Sequence, residues 1–252
     1  MNTPDFQRNF TVDEVSSSSL RAFMNRVFGM MSLALVISGV VAYKMGTPEM
    51  ISYLIGPTGM TGLGWLVMLS PLAFILVMNF GINKLSPTAL NLVFVGFAAV
   101  MGLSMSSIFL VYDFGTITKV FFITSGLFGF MAFLGFTTST DLSKMGAILM
   151  MAVFGMVIAS VVNWFMNSAQ LDYIISCVGV LVFTGLTAYD VQKLKRIGMG
   201  VEYGDANSMK LATMGALNLY LDFYTLYHIG SKHLRYFYPT FHRHQIYLKF
   251  DC

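Results

Sequence analysis

Apolar residues come in long unbroken runs separated by short polar stretches. Residues 27–43 carry no charge, and further apolar runs fall at 62–82, 88–112, 120–139, 145–166, 173–192 and 211–231. A helix crossing the hydrocarbon core needs roughly 20 such residues, so the pattern predicts seven crossings. The fold class expected is all-α, a polytopic seven-helix transmembrane bundle. Residues 1–26 are polar and read as a flexible cytoplasmic N-terminal tail leading into the first helix. Residues 27–231 form the bundle, and residues 232–252 form an aromatic and basic C-terminal tail. Pro71 falls inside the second run, where neighbouring helices can satisfy the backbone groups a proline frees. The third run is rich in small residues (Gly96, Ala98, Ala99, Gly102, Ser104), which let helix backbones approach closely in lipid.

Composition sharpens this picture. Of 252 residues 56% are hydrophobic and 11% charged, against about 25% charged in soluble domains. The net charge of +3 is spread over short loops and reads as an orientation signal, not a nucleic-acid surface. With the N-terminus inside, the inner segments before the last helix hold nine basic residues: Arg8, Arg21, Arg26, Lys84, Lys144, Lys193, Lys195, Arg196 and Lys210. The outer loops hold only Lys44 and Lys119. That bias predicts a cytoplasmic N-terminus, with 193–210 as an inner loop. Lys232, Arg235, Arg243 and Lys249 in the tail do not fit seven full crossings, which leaves the last crossing uncertain. No small-residue cleavage site accompanies the first apolar run, so no removable signal peptide is expected. Cys177 and Cys252 give neither a disulfide framework nor metal-ligand spacing.

Candidate chemistry concentrates in the last two helices. Asp190 lies in T-G-L-T-A-Y-D-V-Q-K-L-K (184–195) and Asp222 in L-N-L-Y-L-D-F (217–223). A carboxylate on a bilayer-length helix is costly and marks a functional site by default. Residues three or four apart share a helix face. Gly215, Asn218, Asp222 and Thr225 then form one small or polar stripe, and Ser176, Gly179, Phe183, Thr187 and Asp190 the other. Counted from Leu211, Asp222 lies roughly 16 Å deep. Lys193, one turn beyond Asp190, leaves an interfacial salt bridge as the alternative for that residue. If the helices pack, two carboxyl groups share a dry site and cannot both ionise cheaply. They would hold one proton and titrate as a unit, giving a pH-sensitive cation site at Asp190 and Asp222. Pore-facing support would come from Thr187, Asn218, Thr225, Gly215 and Gly179. His242 and His244 could hold a metal, but solvated tail histidines are the simpler reading. The 20 Met residues fit soft core packing.

These segments resemble the bacterial branch of the Bax inhibitor-1 (transmembrane Bax inhibitor motif) family. The similarity runs from about Arg21 to His228. It rests on 184–195 and 217–223, supported by 86–112 and by T-T-S-T-D-L-S-K-M-G-A (137–147). The resemblance implies a short central seventh helix wrapped by the other six. It implies that Asp190 and Asp222 act as a pH sensor, passing calcium transiently in a leak through the inner membrane. No cofactor is implied beyond calcium as permeant ion. The partners implied are the bilayer, calcium and protons, and for some members a membrane protease. This chain has no arginine in the second helix to latch onto an aspartate: residues 50–83 hold no basic residue. A regulatory protein acting by binding a partner, such as a membrane protease, is the alternative function. An enzyme is not expected. An intramembrane aspartyl protease needs Gly-x-Gly-Asp where this chain has Leu219-Tyr220-Leu221-Asp222, and no histidine precedes His228 to serve a rhomboid-like serine protease.

Overall fold

The computed structural model describes residues 3–56, 59–202 and 204–237. His242 and His244 lie outside them. The chain is an all-α membrane bundle. Its helices are α1 (Thr3–Met45), α2 (Pro48–Ser52), α3 (Gly62–Gly81), α4 (Pro87–Met105), α5 (Ile108–Val111), α6 (Phe114–Thr137), α7 (Ser143–Met166), α8 (Ala169–Met199) and α9 (Ala206–Phe237). Among the described residues, six helices are long and apolar enough to cross a membrane, and α9 is not one of them. It carries Lys210, Asp222, His228 and Lys232 and runs for 32 residues, so it is not the short helix expected.

Several boundaries differ from expectation for local reasons. The stretch expected as a flexible N-terminal tail is helical from Thr3. Its one proline, Pro4, sits in the first turn, where no backbone N–H is required, and no glycine follows before Gly29. The third run breaks at Ser106, whose hydroxyl and N–H both donate to the Leu103 carbonyl. Two short strands, β1 (Ile55–Gly56) and β2 (Gly59–Met60), pair antiparallel. Gly59 has φ 123°, a conformation side chains resist. The expected loop 193–210 is mostly helix. Lys193, Lys195 and Arg196 are good helix formers, and α8 runs through them before stopping beside Gly200.

Two compact units divide the chain, and α8 and α9 each contribute to both. The first takes residues 1–115 and 193–220. Within it α1 and α3 pack on α4, and Val27, Leu90, Phe94, Phe97, Leu217, Leu219 and Tyr220 are buried. A Cβ on Gly102 would overlap the backbone of Ser38, so glycine there sets the α1–α4 approach. The second unit takes 116–192 and 221–252. Its buried residues include Val120, Phe128, Val182, Leu186, Val191 and Phe223, with Phe223 edge-on to Phe121 and Phe128. Large apolar side chains of α7, such as Phe154, Ile158 and Phe165, are exposed, as suits a helix facing lipid.

Candidate functional site

The site lies where α8 and α9 meet in the second unit. A small residue of α8 faces a large one of α9 there. A Cβ on Gly179 of α8 would meet the Ile229 side chain of α9 at 2.7 Å. On another side of α8, a Cβ on Gly135 of α6 would overlap the Ala188 carbonyl, and one on Gly146 of α7 would overlap the Tyr189 ring. Helix α8 is therefore held closely by α6 and α7 at the two residues just before Asp190.

Asp190 and Asp222 come together. Their carboxyl groups are close enough for their charges to interact. Asp222 is buried, with 6% of its surface exposed, and Asp190 is half-buried. The Oδ2 of Asp222 has no hydrogen-bond partner. A buried, unpaired carboxyl oxygen is costly, and it is an oxygen ligand of the hard type that calcium prefers. Lys193, the partner in the salt-bridge alternative for Asp190, is exposed.

The supporting residues divide. Thr187 is fully buried, but its hydroxyl donates to the Phe183 carbonyl of its own helix at 2.9 Å. Thr225 is half-buried. Gly215 packs on the Leu194 side chain in the first unit. Asn218 is exposed, so the stripe Gly215, Asn218, Asp222 and Thr225 is not one continuous buried face. Two further residues emerge from the structure. The Oγ1 of Thr184 is buried without a partner, and the buried Gln192 side chain bonds the backbone between α6 and α7. Both lie inside the segment 184–195, but the sequence carries no sign of which hydroxyl is satisfied by its own helix. Among the described residues no group of three or more His, Cys, Asp or Glu is placed to hold a metal ion.

A family model described as "Inhibitor of apoptosis-promoting Bax1" matches residues 20–229. The inner membrane protein YbhL of Escherichia coli is 37% identical over 211 residues, covering 83% of this chain and 89% of that protein. An uncharacterized protein of Borreliella burgdorferi is 38% identical over 205 residues, covering 81% of this chain and 88% of that protein. A third relative, from Rickettsia prowazekii, is 36% identical over 220 residues, covering 87% and 90%. The family match takes in both aspartates, all of α8, α9 as far as Ile229 and the segment 137–147. This chain is therefore a multi-pass membrane protein that belongs to the Bax inhibitor-1 family.

Proposed function

We propose that the protein is a pH-sensitive calcium leak of the inner membrane, controlled by the carboxyl pair Asp190 and Asp222. One observation carries this reading: Asp222 is buried beside Asp190 with one carboxyl oxygen left unpaired. In the proton-sharing state the pair holds one proton and one negative charge. Loss of that proton leaves two like charges in a dry site, which is costly unless a cation arrives or water enters. Protonation and cation occupancy therefore compete. Two carboxyl groups make a weak, transient stop for calcium, since resident sites use six to eight oxygens. The chain needs no cofactor and performs no covalent chemistry in this reading. Residence in the inner membrane follows the name of the Escherichia coli relative, and a cytoplasmic N-terminus follows the nine-to-two bias of basic residues.

Calcium entry into proteoliposomes holding the purified protein tests this reading. Entry above that of empty vesicles, varying with pH, is expected. Its loss of pH dependence in the double variant Asp190→Asn, Asp222→Asn is expected as well. No protein-dependent entry at any pH would replace the leak with the partner-binding alternative. A reporter inserted between Gly200 and Asp205 should face the cytoplasm, and a reporter there found outside would overturn the orientation.

A further inference from the structure

The segment T-T-S-T-D-L-S-K-M-G-A (137–147) takes no part in the proposed ion path, yet it is fastened to the helix that carries Asp190. Gln192 makes the attachment. Its side chain is buried, with 5% of the residue exposed. Its Nε2 donates to the Thr140 carbonyl at 2.7 Å, and its Oε1 accepts from the Leu142 N–H at 2.9 Å. Both ends of one amide are thus used on the backbone joining α6 to α7. That backbone is closed on itself around the attachment. Thr138 N–H donates to the Leu134 carbonyl at 2.8 Å, Ser143 N–H to Asp141 Oδ1 at 2.9 Å, and Gly146 N–H to the Leu142 carbonyl at 2.8 Å. The flanking contacts are Gly135 against Ala188 and Gly146 against Tyr189. Residues 189 and 192 are therefore held by this segment and residue 188 by Gly135 just before it, and Asp190 lies among them.

We infer that Gln192 is a positioning residue for the aspartate pair: its amide clamps residues 140–142 onto α8, fixing Asp190 and closing that side of the pair to water and ions. The inference rests on the leak reading above and names the element that must release for an ion to reach the pair. The clamp is neutral, so it can open without moving a charge. The titratable groups next in sequence to the clamp and the pair are Tyr189 on α8, Asp222 on α9, and Asp141 and Lys144 at the head of α7. Lys193 follows on α8. Asp141, Lys144 and Lys193 are exposed.

The test uses the full chain in proteoliposomes with Gln192→Met, which keeps the side chain's bulk but cannot make either bond. Ser38→Ala, a loss of buried hydrogen bonds in the first unit, is the control for general loosening. Two readouts are taken at one pH: calcium entry, and labelling of Thr187→Cys by a membrane-impermeant thiol reagent in a Cys177→Ser, Cys252→Ser background. Thr184→Cys serves if that variant does not fold. Gln192→Met should raise both rates about thirtyfold, the effect of losing two hydrogen bonds' net contribution, and Ser38→Ala should leave both unchanged. Labelling that stays at the wild-type rate, or rises equally in Ser38→Ala, overturns the clamp. Faster labelling without calcium entry in any variant supports the clamp and overturns the leak reading instead.

Discussion

Tyr220 and Asp222 stand two residues apart on α9, in different units, and treat their polar atoms in opposite ways. The Tyr220 hydroxyl lies 2.6 Å from that of Ser38, which in turn reaches the Ala34 and Ala98 carbonyls at 2.8 Å each. Between the two hydroxyls either can be the donor, and Ser38 ties α9 to the backbone of α1 and α4. Phe94 and Phe97 meet the Tyr220 ring edge-on. Seven residues earlier, the Thr213 hydroxyl bonds Asn91 Oδ1 at 2.6 Å and the Met209 carbonyl at 3.0 Å. In the second unit Asp222 Oδ2 and Thr184 Oγ1 are buried with no partner. A fully satisfied buried network holds helices in one arrangement. A buried polar atom left open is a cost the fold retains for some other purpose. The first half of α9 thus reads as an anchor and the second as a working surface.

Substitutions can break this comparison. The largest effect is expected from Gly102→Val, which forces α4 off the Ser38 backbone and dismantles the anchor. It should cost about 3 kcal/mol or more, read as loss of a monodisperse folded protein in detergent. A normal melting temperature there would mean that the close α1–α4 approach is not needed. Tyr220→Phe keeps the ring contacts and removes one buried hydrogen bond. A loss of about 1 kcal/mol is expected, with the pH profile of calcium entry unchanged. A changed pH profile would show that the anchor belongs to the working surface after all. Asp222→Asn should do the reverse: melting within about 1 kcal/mol of wild type, because one buried oxygen already lacks a partner. The smallest effect is expected from Lys232→Ala. Its contact with Asp172 spans 3.7 Å between side chains 44% and 34% exposed, and such pairs contribute under about 1 kcal/mol. A larger loss in thermal melting would make this end of α9 part of the anchor.

The crossings were legible because a run without charge has few other homes in a long chain. Their ends were less so. Lys193, Lys195 and Arg196 read as a loop by charge, but charge does not stop a helix, and α8 runs on to Met199 before α9 starts at Ala206, with Gly204 between them at φ 91°. The aspartates were legible for an energetic reason: a carboxylate in an apolar helix is expensive wherever it points. Helical spacing placed Asn218 with Asp222, yet Asn218 is exposed and Asp222 buried. Burial is decided by what packs alongside, which spacing does not contain. The same limit hid Gln192, whose partners lie 50 and 52 residues away in sequence, and Thr184, whose difference from Thr187 is only that its hydroxyl is left unbonded.

The claim that Asp190 and Asp222 act as one proton-sharing gate is tested most directly by calcium entry into proteoliposomes, titrated across pH. Wild type is compared with Asp190→Asn and with Asp222→Asn. The account predicts that wild-type entry changes with pH near neutrality and that each single variant loses that change, because either one removes the partner with which the proton is shared. A wild-type pH profile retained in either variant would contradict it.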